Sequence, residues 1–129
     1  MKKLYLMFNH TLQPEQKAWA DDHFGPCRVI EMPDHLKASW GQIPSDCETL
    51  FSRLAPFRDW LDQYGKANDL VLIQGDFGAT YLMVAHAVEK GLVPVYATTE
   101  RKALETRMPD GTVKMEHQFR FCRFRKYGE

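Results

Sequence analysis

The sequence predicts an α/β fold: a doubly wound, Rossmann-like domain whose open, mainly parallel sheet is flanked by helices and carries a C-terminal β-hairpin. Strand-like apolar runs alternate with helical segments in the order βαβαβαβ, and parallel strands joined by crossover helices follow from that order. The apolar run Leu70–Ile73 suits a central parallel strand. A chain of 129 residues is long enough for one domain with a core and too short for two, so we expect residues 1–129 to form one domain.

The first half of the chain predicts two strands and several helical segments. In order, they are the strand Lys3–Phe8, a helix opened by Pro14 that runs to about Phe24, the strand Arg28–Met32, and a short helix or turn around Leu36–Trp40. Ser45–Glu48 has the form of a capping box and introduces helical sequence that ends near Gly65. Pro56 is expected to kink that sequence, which gives two helical pieces.

The second half predicts the rest of the sheet. In order, it contains the strand Asp69–Gln74, a helix that starts near Gly78 or Ala79 and covers Thr80–Lys90, and the strand Val93–Thr98. Arg101–Arg107 then leads through a turn sequence, residues 108–112, into the alternating stretch Val113–Phe124. This last pattern predicts the hairpin.

Charge and composition limit the classes of function. The net charge is zero, but residues 1–99 carry nine Lys or Arg against twelve Asp or Glu, whereas residues 100–129 carry eight against five. A neutral total argues against tight binding to long nucleic acid, where many phosphates must be neutralised together. A compact ligand with a few phosphates remains compatible with this balance.

Sorting signals and cysteine chemistry are not indicated. The apolar stretch Leu4–Phe8 behind Lys2-Lys3 is too short for a signal-peptide core, and no segment approaches a membrane span, so a cytoplasmic protein without a membrane partner is expected. Cys27, Cys47 and Cys122 are odd in number and form no CxxC pair. Neither a disulfide framework nor a zinc site follows from them, and no metal or cofactor is expected.

Polar residues follow three of the predicted strands, at the point where each strand ends. They lie in the segments Asn9-His10-Thr11, Gln74–Thr80 and Thr98–Arg101. In open α/β sheets, ligands collect beyond the carboxyl ends of the strands. Gly75 and Gly78 bracket a sharp turn before a helix whose free N–H groups can receive an anion. This turn is neither a Walker loop nor a dinucleotide fingerprint, because it lacks the Gly-Lys-Ser/Thr of the first and the three spaced glycines of the second.

Four sequence features carry a resemblance to a known family. They are Asn9-His10 after a strand beginning Lys-Leu-Tyr-Leu, the turn Gln-Gly-Asp-Phe-Gly-Ala-Thr80, the strand Val-Pro-Val-Tyr-Ala-Thr-Thr99 and the tail from Glu116 to Tyr127. The chain resembles, over nearly its whole length, the small CRISPR-associated proteins of the Csx series, the family numbered twenty. The resemblance implies a CARF-like fold and a role beside type III CRISPR systems in antiviral defence. It also implies binding or degradation of cyclic oligoadenylate by metal-independent, two-fold dimers.

This resemblance suggests a ring nuclease, a phosphodiesterase in which a ribose 2′-OH attacks the adjacent phosphorus. The residues expected to assist catalysis are His10, Asp76 and Arg123. On this interpretation the expected ligand is cyclic tetra-adenylate. The residues expected to bind it are Asn9, Thr11, Gln74, Gly75, Phe77, Gly78, Ala79, Thr80, Thr98, Thr99, Arg101 and Arg125. Positioning and electrostatic stabilisation can suffice for such a reaction, and an imidazole can act as acid or base near neutral pH.

Several alternatives stay open at the level of the sequence. Asp76 can simply cap its helix, and the C-terminal arginines can form a solvated hairpin face. The helix Tyr81–Val88 is apolar nearly all round, so part of it can face a second subunit. The protein can be a sponge that sequesters the ring without cutting it, a Rossmann-like enzyme that uses a mononucleotide, or a regulatory interaction module.

Overall fold

The computed structural model describes residues 1–129 and confirms the predicted fold class. Five strands form one sheet, with helices on both faces. The elements are β1 (Lys2–Met7), α1 (Pro14–Phe24), β2 (Cys27–Glu31), α2 (Asp34–Trp40), a 3-10 turn (Ser52–Leu54), α3 (Ala55–Tyr64), β3 (Leu70–Ile73), α4 (Phe77–Glu89), β4 (Val93–Arg107) and β5 (Val113–Lys126). No helix is both long and apolar enough to cross a membrane.

The strand order is β2-β1-β3-β4-β5. β1 pairs in parallel with β2 and β3, and β3 pairs in parallel with the first residues of β4. The last strand, β5, is antiparallel to β4 and completes the predicted hairpin. The carboxyl ends of β1, β2 and β3 therefore lie at one edge of the sheet, which we call the carboxyl edge.

The core has two layers because alternate strand residues point to opposite faces. On one face, Leu4, Leu6 and Phe124 pack beneath α1 around Ala20. On the other face, β1 and β3 contribute a second set that packs against α2, α3 and α4. That set includes Tyr5, Met7, Val71, Ile73, Trp40, Trp60 and Met83. Burial on both faces explains why Leu70–Ile73 is apolar without alternation.

Two predicted boundaries are wrong. Ser45–Glu48 does not cap a helix, since regular structure begins only at Ser52. The two predicted helical pieces are present as the 3-10 turn and α3, which ends at Tyr64 beside the predicted Gly65. Pro56 does not kink a helix between them but lies in the first turn of α3, where its missing N–H removes no intrahelical hydrogen bond. The predicted helix start near Gly78 or Ala79 is close to the observed start at Phe77.

The fourth strand is longer than predicted. It does not end at Thr98, and no loop covers Thr98–Arg101, because β4 continues to Arg107. β5 supplies a pairing partner along this whole length, from Lys126 opposite Val95 to Val113 opposite Arg107. β4 pairs with β3 only as far as Val95, and a register shift between Thr98 and Thr99 precedes the part of the hairpin in which every residue is exposed.

Candidate functional site

The carboxyl edge joins two of the three predicted polar segments. Asn9 and His10 follow β1, and the segment from Gln74 follows β3, the neighbouring strand. The Gln74 N–H donates to the Met7 carbonyl at 3.1 Å, which aligns the ends of the two strands. The two segments thus lie side by side, as the position of ligands in open sheets predicts.

Gln74 fixes the architecture of this edge. Its side-chain Oε1 accepts from the Ala97 N–H at 2.7 Å, and its backbone carbonyl accepts from Trp40 Nε1 at 2.8 Å. These bonds connect β3 to β4 and to α2. Because these acceptor atoms are engaged by the protein, Gln74 serves here to position the loop.

Gly75, rather than Gly78, is the sterically constrained glycine of the turn. A Cβ at Gly75 would lie 2.7 Å from Trp40 Nε1, whereas the nearest atom to a Cβ at Gly78 is Leu50 Cδ1 at 3.4 Å. Neither glycine has the positive φ that only glycine adopts readily. The turn therefore needs Gly75 because the indole of Trp40 occupies the space of a side chain.

Asp76 caps α4. Its Oδ2 accepts from the Ala79 N–H at 3.0 Å, and its backbone carbonyl accepts from the Thr80 N–H at 2.8 Å. The Ala79 N–H is thus already hydrogen-bonded to Asp76, and the Ala79 side chain is buried. Ala79 therefore has no free group for the predicted ligand contact. The N–H groups of Phe77 and Gly78 have no intrahelical acceptor. A ligand anion at this helix end would meet these two groups beside the Asp76 carboxylate.

His10 and Asn9 are exposed at the end of β1. The His10 ring forms no hydrogen bond and lies 6.1 Å, between centroids, from the ring of Phe8. Asn9 borders a cleft of about 370 Å³ that α2 closes on the other side. The lining residues are Asn9, Asp34, Lys37, Ala38, Gly41 and Gln42.

Lys37 is the cation of this cleft, and it was missed in the sequence. The polar segments predicted at this edge follow the first, third and fourth strands and leave out the segment after β2. The parallel order was sufficient to find it, since β2 also ends at the carboxyl edge.

The remaining predicted residues near this edge differ in their availability. The backbone carbonyl of Thr11 already accepts a hydrogen bond from Gln13 Nε2 at 3.1 Å. Phe77 is 95% exposed. Thr80 Oγ1 is buried and has no hydrogen-bond partner. The Thr80 hydroxyl is therefore unpaired within the first turn of α4 but closed to solvent, so it is not available to a ligand as the chain stands.

The predicted site residues of the hairpin do not form a loop at this edge. Thr98 Oγ1 is hydrogen-bonded to the backbone of Arg123, with its hydroxyl 3.0 Å from the carbonyl and 3.2 Å from the N–H. Thr99 and Arg101 lie on the exposed part of the hairpin, where the Arg101 guanidinium is 6.0 Å from the centroid of the Phe119 ring.

Arg123 and Arg125 line a different cleft from Asn9. The Arg123 guanidinium lies 5.1 Å from the centroid of a Trp19 ring, and that of Arg125 lies 5.4 Å from the ring of Tyr96. Both arginines border a cleft of about 450 Å³ between α1 and β5, together with Trp19 and His23. The structure therefore does not bring Arg123 into the cleft of Asn9.

Tyr127 ties the end of the chain to the carboxyl end of β3. Its hydroxyl donates to the Ile73 carbonyl at 2.6 Å. Burial, and secondarily the nearby Tyr96, raise the pKa of Tyr127 above that of a free tyrosine. The hydroxyl consequently stays protonated and keeps its role as a donor.

No group of three or more His, Cys, Asp or Glu side chains is arranged to hold a metal ion.

Fold and edge together define an α/β protein with polar loops and a helix N-terminus at the carboxyl ends of its strands. Residues 2–125 match the family described as the Uncharacterized protein MJ1673 family, and the chain belongs to this family. A protein of Methanocaldococcus jannaschii, Uncharacterized protein MJ1673, is 41% identical over 127 residues, which cover 98% of each chain. No solved structure matches the sequence.

Proposed function

We propose that the protein binds cyclic oligoadenylate, with the tetra-adenylate as the expected ring, at the carboxyl edge of a two-fold homodimer and cleaves it to linear products. Such an activity would switch off type III CRISPR signalling. The proposal is supported by the resemblance to the Csx family numbered twenty and by the neighbouring ends of β1 and β3. The N–H groups of Phe77 and Gly78 and the ammonium of Lys37 offer hydrogen bonds and charge to phosphate.

In the proposed reaction, a ribose 2′-oxygen attacks the adjacent phosphorus and the 5′-oxygen departs. The phosphorus–5′-oxygen bond breaks as the phosphorus–2′-oxygen bond forms, which leaves a 2′,3′-cyclic phosphate. The proton lost from the 2′-OH balances the proton gained by the 5′-oxygen. Lys37 replaces Arg123 as the cation assigned to the developing charge, because Lys37 shares the cleft of Asn9.

The observation that carries the enzymatic proposal is the free imidazole of His10. It is exposed beside Asn9, and its ring nitrogens make no hydrogen bond within the chain. Both nitrogens are therefore available to take or give a proton at a bound ribose or leaving oxygen.

The same observation also favours a second candidate, a sponge that binds the ring without cutting it. No side chain of the chain orients the His10 ring through a hydrogen bond, whereas catalytic bases are usually held by a third group. Binding by the edge loops does not require such a group, so sequestration needs less organisation than cleavage.

The decisive experiment incubates the pure protein with cyclic tri-, tetra- and hexa-adenylate, with and without EDTA, and separates the products by chromatography. Cleavage of the tetra-adenylate is expected to survive EDTA because the substrate's own 2′-OH is the nucleophile. Activity that is lost on chelation and restored by Mg²⁺ or Mn²⁺ would refute this mechanism. Tight binding without any product would replace the nuclease with the sponge, and the absence of binding would reject both.

A further inference from the structure

Beyond the carboxyl edge, β4 and β5 form a hairpin arm, residues 99–121. Every residue from Thr99 to Arg120 is exposed, so no other part of the chain covers the arm. At its base, Phe121 packs against Trp19, with ring centroids 6.4 Å apart, and against Phe124 at 5.0 Å. The arm is thus anchored to the core at one end and projects from the domain.

The two faces of the arm differ in chemistry. The strand register places the odd-numbered residues of both strands on one face, which we call the apolar face. Its β5 half is a row of apolar side chains interrupted by His117, namely Val113, Met115, Phe119 and Phe121, and its β4 half holds Arg101, Glu105 and Arg107 beside Thr99 and Ala103. The opposite face has Leu104 as its one apolar residue and is otherwise polar, with Glu100, Lys102, Lys114, Glu116, Gln118 and Arg120 among its side chains.

The apolar face is poorly covered by the chain itself. Phe119 is 68% exposed and Met115 is 52% exposed. A two-stranded ribbon is at best marginally stable in water without a further layer against it. An exposed row of apolar side chains on such a ribbon indicates a protein interface.

Charge selects the kind of partner. The arm carries five basic residues, Arg101, Lys102, Arg107, Lys114 and Arg120, and four acidic ones, Glu100, Glu105, Asp110 and Glu116. This near-neutral balance does not suit a polyanion such as RNA, which needs several unopposed cations. A mixed charged rim around an apolar centre is instead the composition of a protein–protein interface.

A second uncovered apolar surface lies on α4. Phe77 is 95% exposed, Tyr81 is 74% exposed, and Val88 is also exposed. Their spacing of four and seven residues places them on one side of the helix, which we call the α4 stripe. The stripe begins at the carboxyl edge, the edge from which the arm projects.

The available area fits a dimer. Nine residues of β4, Thr99–Arg107, make an arm of about 30 Å at roughly 3.4 Å per residue, and a two-stranded ribbon about 10 Å wide then offers about 300 Å² per face. The α4 stripe is about 17 Å long at 1.5 Å per residue, so the arm also contacts the surface beside the stripe. Two arms that each cover an area of the other copy equal to their own face hide about 1,200 Å² in all, the lower end of stable interfaces.

We propose that the arm is a dimerisation arm: in a two-fold dimer, its apolar face lies on the α4 stripe of a second copy of this chain. Because the contact is reciprocal, it covers the apolar surfaces of both copies, and no uncovered surface remains to which further copies could add. Since Phe77 follows Asp76 directly, the arm of one copy then borders the candidate site of the other. This inference rests on the homodimer of the proposed function and names the surfaces that form it.

The first test measures assembly without ligand. Light scattering at 10–100 µM, about the range where a modest interface is occupied, is expected to give a dimer for the wild type. Phe119→Glu should raise the dimer dissociation constant at least tenfold, because it places a charge in the apolar contact. Gln118→Glu, on the opposite face of the arm, is the matched control and should change it less than about threefold. A wild-type monomer, or equal effects of the two variants, overturns the proposal.

The second test identifies the contact itself. In a background of Cys47→Ser and Cys122→Ser, Phe119→Cys and Tyr81→Cys proteins are mixed under oxidising conditions. Disulfides that form between the two variants and not within either one support the arm-on-stripe contact. Self-linkage of Phe119→Cys would show an arm-to-arm dimer and overturn it. Ring binding is measured separately on the wild type, so a failed ligand assay with an intact dimer rejects only the proposed function.

Discussion

Gly75 shows how one residue without a side chain determines the shape of the carboxyl edge. The Trp40 indole fills the position of a Cβ at Gly75 and donates its N–H to the Gln74 carbonyl. Gly75→Ala should therefore force the indole away and destabilise the fold by about 1–3 kcal/mol, the usual cost of overpacking.

Gly78→Ala is the matched control for this change. Its Cβ meets only ordinary van der Waals contacts, and alanine favours the helix that Gly78 helps to begin. We expect it to change the free energy of unfolding by less than about 1 kcal/mol, and toward greater stability. Urea denaturation of both variants measures the difference, and equal losses at the two positions would contradict the assignment.

His10 carries the catalytic part of the proposal. His10→Ala should leave the affinity for cyclic tetra-adenylate within about tenfold and lower single-turnover cleavage by about 10² or more, the scale of general acid–base assistance. His23→Ala is the control, since His23 is an exposed histidine that stacks on Trp19 in the other cleft. If His10→Ala cleaves the ring at the wild-type rate, His10 has no catalytic role.

Asp21 gives the stability a specific pH dependence. The Lys17 ammonium donates to its carboxylate at 2.6 Å, and this bond, followed by that from the Cys27 N–H, lowers the pKa of Asp21 below its ordinary value. A lowered folded-state pKa means that the contribution is present above the unfolded-state pKa and is lost as the pH falls through the folded-state value. The stability difference between wild type and Asp21→Asn should consequently shrink from pH 6 toward pH 3, as measured by urea unfolding. A difference that is constant over this range would contradict it.

At the scale of elements, α2 brings a cation to the candidate site that the sequence argument overlooked. Lys37 lines the Asn9 cleft, so Lys37→Ala should weaken binding of cyclic tetra-adenylate tenfold or more, as expected for a charge-assisted hydrogen bond of about 1.5–3 kcal/mol. Arg123→Ala should weaken it less than about threefold because Arg123 lies in the cleft beside α1. Calorimetric titration compares the two, and the reverse order would restore the assignment made from the sequence.

The elements that were predictable are those specified by local patterns. The buried strand Leu70–Ile73 and the helix opened by Pro14 follow from apolar runs and helix-start signals. The continuous length of β4 did not follow from such patterns, because Thr98–Arg101 is polar and is held as a strand by its pairing with β5, not by an apolar run. The capping pattern at Ser45 failed for a related reason, since a local motif forms a cap only where a helix follows directly.

The candidate site was predictable in outline and not in detail. The topology alone indicates that Asn9, His10 and Gln74 meet at one edge. The commitment of Gln74 to Ala97 and Trp40, and the contact of Gly75 with the Trp40 indole, depend on how α2 packs across the sheet. The position of Arg123 in the cleft beside α1 could not be predicted, because the position of an edge strand relative to α1 is a tertiary property.

At the scale of the whole molecule, ring binding and assembly should be coupled. A two-fold symmetric ring matches the axis of a C2 dimer, so one cyclic tetra-adenylate is expected to bind per two chains. A ligand that binds only the dimer stabilises it by mass action. The wild-type melting temperature should therefore rise with protein concentration, and rise further with the ring.

Phe119→Glu tests this coupling. The substitution changes no residue of the Asn9 cleft, yet it removes the apolar contact assigned to the dimer, and its exposed position should leave the fold of each chain intact. The variant is expected to bind the ring at least tenfold more weakly and to regain affinity as its concentration is raised toward the dimer range. Titrations at two protein concentrations, with Gln118→Glu beside them, measure the effect. A monomeric variant that binds one ring per chain with wild-type affinity would show that each chain recognises the ligand alone.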